Sequence, residues 1–164
     1  MLILSLLFGV ITISLQGYNA LTKEELAASV EIVPLDEQSF TAILSLPDGS
    51  EKQFILEGDE FYIDAHILKW KSLANLLGIH TLYELDRISG RYTDIQDEIN
   101  KKRTVYSLAE KRLIDIFNLR LEYPFLSFLV DAEYGSASFV LINNNRKLDV
   151  LVSTTGLLIR KTEN

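Results

Sequence analysis

The sequence predicts an α+β protein rich in β-strands, in which one N-terminal transmembrane helix precedes an antiparallel sheet domain. Three observations predict this class. Residues 1–22 carry no charged side chain. Several later segments alternate apolar and polar residues with the period of two that a half-buried strand requires. A few segments between them have the apolar spacing or the capping residues of helices. About eight strands in a sandwich or a partly open barrel, with two or three inserted helices, would account for this pattern.

Residues 1–21 are predicted to form a transmembrane anchor or an uncleaved signal. A helix rises about 1.5 Å per residue, so the run from Leu2 to Leu21 can just cross a hydrocarbon core about 30 Å thick. The strongly apolar part ends near Leu15. Two alternatives stay open, a cleaved secretory signal, which basic residues would normally precede, and a buried hydrophobic helix. The predicted partner of residues 2–21 is the lipid bilayer.

Residues 22–164 are predicted to form one soluble β-rich domain, because no linker, repeat or low-complexity tract divides them. The chain carries a net charge of −7, which argues against binding nucleic acid. It has two histidines and no cysteine, so no metal site is predicted. No glycine-rich phosphate loop is present, and no cofactor is predicted.

The strands follow from alternation and from the turns between them. Pro47 to Ser50 combines a proline and a glycine in a typical hairpin turn, and Asn143 to Asn145 suits a second one. Small residues around Gly135 predict a bend between two late strands. The predicted strands are 28–35, 39–46, 52–57, 61–68, 80–88, 128–133, 137–142, 147–153 and 157–160.

Helices are predicted where a capping box or helical spacing occurs. Three pairs match the capping box: Thr22 with Glu25, Thr93 with Gln96, and Ser107 with Glu110. The pair at Ser107 opens the longest predicted helix of the domain, which Pro124 ends. A further short helix is predicted between Trp70 and Gly78, where leucines recur at helical spacing. The cationic run 101–103 suits the C-terminus of the middle helix.

Asp64 and His66 are the residues that suggest chemistry. They lie two apart on a predicted strand and therefore share a face, as an acid-oriented histidine base requires. A solvated polar strand face explains the same pair without any chemistry. No serine lies in a nucleophile elbow, so no residue is predicted to be catalytic.

A ligand-binding site is the wider hypothesis for this part of the chain. If Arg87 and Arg91 converge in a cleft, they could bind an anion, because guanidinium groups bind carboxylates and phosphates bidentately. If they pair with Glu84 and Asp86 at the surface, the hypothesis weakens. The candidate ligand-binding residues are Tyr62, Asp64, His66, Trp70, Arg87 and Arg91.

Five segments carry a resemblance to a known family. They are DEFYIDAHILKWK (59–71), ANLLG (74–78), YELDRISGRY (83–92), VDAEYGSA (130–137) and TGLLIR (155–160). In these segments the chain resembles an uncharacterised family of bacterial membrane-anchored proteins that are often labelled cation or multidrug efflux pump. The resemblance implies a bacterial source and an N-terminal membrane segment. It implies no activity and no catalytic residue.

Together these observations predict a single-pass protein of the bacterial inner membrane. The flanking charges favour a cytoplasmic N-terminus, which would place the soluble domain in the periplasm. The predicted function is a non-enzymatic binding or assembly module at the bacterial envelope, with an envelope protein as its partner. The alternative is a small hydrolase-like enzyme that uses Asp64 and His66.

Overall fold

The computed structural model describes residues 3–9, 11–12, 24–71, 74, 81–109, 130–142 and 147–162, with the backbone alone for 131–134. Residues 3–9 and 11–12 are helical, and one further helix, α1, spans Ile95–Asn100. The strands are β1 Glu25–Asp36, β2 Ser39–Ser45, β3 Glu51–Glu57, β4 Glu60–Trp70, β5 Leu82–Arg91, β6 Val105–Ser107, β7 Val130–Leu141, β8 Lys147–Ser153 and β9 Gly156–Lys161.

These strands form two antiparallel sheets. The first has five strands in the order β3-β2-β1-β8-β9, and the second has four in the order β6-β5-β4-β7. A tight hairpin joins β2 to β3. Its turn is closed by the Leu46 carbonyl, which accepts from the Gly49 amide at 2.9 Å, and Gly49 supplies the positive φ of +84° that the turn needs.

The core lies between the two sheets and follows directly from the alternation of β4. Phe61, Ile63 and Ile67 of β4 point inward and are fully buried, against Ile32 of β1 and Phe40 of β2. Burial of each such large side chain contributes roughly 1.5–3 kcal/mol, which makes this apolar layer the main source of stability.

The two sheets meet closely at both sides of the sandwich. On one side the chain crosses from β3 to β4 through Gly58, and a Cβ atom added at Gly90 of β5 would lie 2.0 Å from the Glu57 carbonyl oxygen. On the other side, the Ser136 hydroxyl of β7 accepts from the Leu157 amide of β9 at 2.9 Å. The structure is therefore a two-layer β-sandwich in the described residues.

The predicted transmembrane helix is wrong. No helix among the described residues is long and apolar enough to cross a membrane. The prediction of a single-pass inner-membrane protein anchored through residues 1–21 is wrong for the same reason. The physical reason is visible in the sequence, because a span needs about 20 predominantly apolar residues, and polar side chains recur from Thr12 to Asn19.

The prediction of a β-rich antiparallel domain is confirmed, but its α+β class is not. Only two short helical segments occur in the described part of the chain. Glu25, predicted to lie in a capped helix, begins β1 because it pairs with Val152 of β8. Ser107, predicted to begin the longest helix, lies in β6, and the next two residues, Leu108 and Ala109, are not helical. The rest of that predicted helix, from residue 110, is outside the described residues, as are most of the helix predicted after Trp70 and the turn at 143–145.

Two further differences concern the strands. The predicted bend at Gly135 is absent, since β7 continues through Gly135, which pairs with His66 of β4. The sequence pattern also predicts that the strands 39–46, 52–57 and 61–68 form one meander. This prediction is wrong, because β2 and β3 pair while β4 belongs to the other sheet. The capping residue of α1 is Asp94, whose carboxylate accepts from the Gln96 and Asp97 amides, rather than Thr93.

Candidate functional site

Most of the predicted site residues lie on the solvent side of the four-stranded sheet. Residues paired directly across antiparallel strands share a face, so the register defines this surface. We call it the arginine face. It consists of Glu60, Tyr62 and Asp64 of β4, Arg87, Ser89 and Arg91 of β5, and Phe139 of β7, with Asp86 and Arg103 packed against them.

Arg91 lies at one end of the arginine face, where it contacts a carboxylate and an aromatic ring. Its guanidinium reaches across β4, with Nη1 at 3.1 Å from the Glu60 carboxylate and Cζ at 4.3 Å from the centre of the Phe139 ring. Glu60 is only 6 % exposed, so it is buried beneath the arginine side chain. A buried carboxylate requires a charge partner, and Arg91 supplies it while stacking on an aromatic ring.

Arg103 covers the middle of the face. It follows α1, and its Cζ lies 5.5 Å from the centre of the Tyr62 ring. Nη2 donates to the hydroxyl of the fully buried Ser89 at 3.3 Å, and Nη1 lies 3.6 Å from the Glu98 carboxylate. The other Glu98 oxygen accepts from the Tyr92 amide, so the segment that carries Arg103 is tied to the end of β5.

Arg87 forms the third charged group. Its Nε and Nη2 donate to the neighbouring Asp86 carboxylate at 2.8 and 2.6 Å, and its backbone amide donates to Asp64 at 3.1 Å. The Tyr62 hydroxyl donates to the other Asp64 oxygen at 3.4 Å. Asp64 is therefore held by β5 on one side and by its own strand on the other.

The local environment shifts two pKa values on the face. Burial raises the pKa of Asp64 above its ordinary 3.8, the nearby Arg87 charge opposes this shift, and Asp86 adds to it. Burial and the Asp64 charge raise the pKa of Tyr62 above 10.0, so the phenol stays neutral and can donate to the carboxylate.

The structure separates the six predicted ligand-binding residues. Tyr62, Asp64 and Arg87 lie together, but Arg91 binds a different carboxylate four residues further along β5. His66 is exposed on the same face and pairs with Gly135. Trp70 lies at the end of β4, about 26 Å along the strand from Tyr62 at about 3.3 Å per residue. The six residues therefore do not form one pocket.

The two arginines also fail to converge in a cleft. Arg87 pairs with Asp86 at the surface, with half of its side chain exposed, and Arg91 lies over Glu60. The pocket found among the described residues lies elsewhere, between the sheets. An anion held jointly by Arg87 and Arg91 is not supported by this arrangement.

Sequence reasoning missed Arg103 and Phe139. Arg103 was interpreted as part of a cationic helix end, whereas its side chain folds back over Tyr62. Phe139 follows the alternation of β7, but only the pairing with Tyr62 places it beside the arginines. The composition of the 101–103 run gave no signal for this contact, which joins segments about forty residues apart along the chain.

The geometry gives little support for catalysis or for metal binding. The Asp64 carboxylate contacts Arg87 and Tyr62, which gives it partners of its own, so the hydrolase hypothesis involving His66 stays a prediction. Within the described ranges, no group of three His, Cys, Asp or Glu side chains could hold a metal ion. What the arrangement offers is a sheet face on which arginine donors and aromatic rings are held in place.

Apolar side chains lie exposed among these charges. Phe139 is 54 % exposed, and Leu141 and Val105 are similarly open on the same face. No family model, curated protein or solved structure matches the chain. The resemblance to the efflux-labelled family therefore stays a prediction, and the surface must be interpreted from its own chemistry.

Proposed function

We propose that this protein is a non-enzymatic binding module whose arginine face binds a partner protein. The observation that carries the proposal is the pairing of guanidinium groups with aromatic rings on one open sheet face, Arg91 on Phe139 and Arg103 on Tyr62. Arginine, tyrosine and phenylalanine are enriched in protein interfaces, and arginine and tyrosine are frequent among the residues that dominate binding energy.

The side chains of the face are held in place before any partner arrives. Arg91 is fixed by Glu60, Arg103 by Ser89 and Glu98, and Tyr62 by Asp64. Ordering a free arginine costs roughly 0.5–1.5 kcal/mol on binding, and these contacts reduce that cost. The face is thus preorganised for association.

The size of the face suits a protein partner. Four strands about 4.8 Å apart, with an 11-residue central strand rising about 3.3 Å per residue, give a surface of at most roughly 700 Å². A stable interface covers about 800 Å² on each partner. The pocket found among the described residues lies between the sheets and not on this surface. A protein surface could cover most of the face.

The chemistry of the face also describes the partner. Among the described residues Arg91 contacts Glu60 through Nη1, and its guanidinium carries further N–H groups that can donate to a partner. Exposed Phe139 and Leu141 lie alongside. We expect a protein segment that presents apolar side chains next to carboxylate or main-chain carbonyl oxygens.

Site-specific photocrosslinking tests the proposal. Benzoylphenylalanine replaces Phe139 in one variant and Ile55 in a control, since Ile55 is equally exposed at 57 % on the other sheet. Both variants are irradiated in cells of the source organism. The captured protein is then purified, and its affinity is measured for the wild-type chain, Phe139→Ala and Ile55→Ala.

The proposal expects one partner captured from position 139 and not from position 55. Phe139→Ala should weaken binding about thirtyfold, the loss typical of an interface hot spot, and Ile55→Ala less than about twofold. If the captured partner is a second copy of the chain, the face mediates self-assembly. Equal capture at both positions, or unchanged affinity of Phe139→Ala, would refute the proposal.

A further inference from the structure

Strand β7 forms one edge of the four-stranded sheet. It pairs with β4 on one side, and among the described residues no strand pairs with its other side. The Ile142 amide donates to the Asp59 carbonyl at 3.1 Å, so alternation directs the main-chain groups of even-numbered residues toward β4. The N–H and C=O groups of Gly135, Ala137 and Phe139 therefore point away from the sheet, where a further strand can be added.

The other three sheet edges carry features that discourage the addition of a strand. β6 has only three residues. β3 begins with Glu51 and ends with Glu57, and β9 ends with Arg160 and Lys161. Short edge strands and charged side chains are the usual protection against pairing between chains. By contrast, residues 135–142 include no charged residue and no proline, so this part of β7 lacks that protection.

The side chains of this segment are complementary to a second copy of it. When two copies pair antiparallel about Ala137, that residue lies opposite its own copy. Phe139 of each copy then lies opposite Gly135 of the other, and both residues have outward main-chain groups. On the inner side Ser136 lies opposite Ser138, and serine hydroxyls in such pairs can hydrogen bond across strands. This register therefore satisfies both the main chain and the side chains.

The pairing of Phe139 with Gly135 uses space that the structure leaves open. A Cβ atom added at Gly135 meets no atom of the described residues within 4 Å. Phe139 is 54 % exposed, while Arg91 contacts its ring 4.3 Å from the centre. An aromatic ring over a glycine of the neighbouring strand is a known device for protecting an edge glycine. Each copy would supply the ring that covers the glycine of the other.

The size of this contact limits its strength. Five paired residues extend over about 17 Å at about 3.3 Å per residue. The area buried along one strand edge of that length is well below the about 800 Å² per partner of a stable interface. We therefore expect a reversible dimer with a Kd on the order of 100 μM.

We propose that β7 pairs with β7 of a second copy, antiparallel about Ala137, and joins two four-stranded sheets into one sheet of eight strands. The two-fold axis of such a pair is perpendicular to the sheet, so both arginine faces lie on the same side and form one continuous surface. The pairing uses main-chain groups of the strand edge and does not rest on the partner protein proposed for the arginine face.

Sedimentation equilibrium of the full chain, from about 10 μM to about 1 mM, tests the dimer. Ala137→Pro removes the amide at the centre of the pair, and this amide points away from β4, so the sheet can tolerate the proline. We expect the Kd to rise at least about tenfold. The control is Gln53→Pro, at an exposed residue of β3 whose amide points away from β2 by the same alternation, and it should leave the Kd unchanged.

Disulfide trapping tests the register and survives if the proline variant fails to fold. The chain contains no cysteine, so Ala137→Cys adds the only thiol. Its Cα would lie about 5.5 Å from its copy, within the 4.4–6.8 Å that a disulfide spans. Leu141→Cys lies on the same strand and face, but about 26 Å from its copy in this register. Mild oxidation should therefore link the first variant and not the second.

Any of three results would overturn the proposal. These are a monomer at every concentration up to about 1 mM, a dimer that persists unchanged in Ala137→Pro, and equal disulfide linking of Ala137→Cys and Leu141→Cys. A second copy captured by photocrosslinking from position 139 should be lost in Ala137→Pro. Capture of a different protein from that position does not depend on the strand edge, so the two proposals can fail separately.

Discussion

The outer faces of the two sheets cover the same core with different chemistry. On the five-stranded sheet, Val33, Thr41 and Ile55 form a row of small and aliphatic side chains. The solvent-exposed Arg160 donates from Nη2 to the Glu24 carboxylate at 2.6 Å. On the four-stranded sheet, arginines lie over aromatic rings and over a buried carboxylate. Both faces shield the same hydrophobic layer, but they do so with different side chains.

This difference indicates where the sequence carries more than the fold requires. A sandwich remains stable with aliphatic or polar residues on its outer faces, as the five-stranded sheet demonstrates. A buried Glu60 adds a desolvation cost that an aliphatic residue would avoid. The fold alone therefore does not require the charged side chains of the arginine face.

The largest expected effect lies where the two sheets meet. Gly90→Ala places a Cβ atom 2.0 Å from the Glu57 carbonyl oxygen, so backbone must move, and we expect a loss of at least about 3 kcal/mol in the free energy of unfolding. Gly135→Ala on exposed β7 meets no atom within 4 Å and should change stability by less than about 1 kcal/mol. Urea denaturation measures both. Equal losses would contradict the close approach of the sheets.

The next effect compares one ion pair from each sheet. Arg91→Ala leaves Glu60 buried without its partner, and we expect a loss of roughly 2–3 kcal/mol, below the value for a fully buried pair because Arg91 is partly exposed. Arg160→Ala removes an exposed pair and should cost at most about 1 kcal/mol. Adding Glu60→Gln to Arg91→Ala should restore part of the loss in urea denaturation. No restoration would show that the lost packing on Phe139, rather than the unpaired charge, dominates.

The smallest effect is a difference in pH dependence. The pKa of Asp64 is raised, so the folded chain keeps a proton that the unfolded chain has lost, and its contribution to stability falls as the pH rises from 3.8 through the raised pKa. The pKa of Asp48, in the hairpin of the other sheet, is lowered. Its contribution is present above 3.8 and is lost as the pH falls through the lowered pKa.

Carboxyl titration by nuclear magnetic resonance checks these directions. Asp64 should titrate above 3.8 and Asp48 below it. Asp64→Asn should remove the fall in stability on the alkaline side of 3.8, and Asp48→Asn the loss on the acidic side. The reverse order of titration would refute the assigned environments.

The sequence predicted most strands well because alternation and turns are local signals. Lys147–Ser153 was located without error, and the turn at Pro47 behaves as its residues require. These local signals failed where pairing with a distant strand determines the secondary structure. Glu25 of the predicted capping box pairs with β8 instead of lying in a helix. The short β6 forms by pairing with β5.

The candidate site was less predictable for the same reason. Tyr62, Asp64 and Arg87 lie near each other because they occupy neighbouring strands with outward alternation. Arg103 and Phe139 reach the site from distant segments, and no periodicity encodes their contacts. A buried glutamate at position 60 could not be distinguished from a solvated one until Arg91 was seen above it.

The position of β1 in the middle of its sheet has a consequence for biosynthesis. Its first neighbour, β2, follows within a few residues, but its second, β8, lies far along the chain, so that Ser29 bonds Asp149 across 120 residues. As the chain emerges from a ribosome, one edge of β1 stays unpaired until most of the domain has been translated. Such an edge can pair with other nascent chains. The unpaired edge of β1 is covered only when β8 pairs with it. We therefore expect chains that terminate before β8 to aggregate.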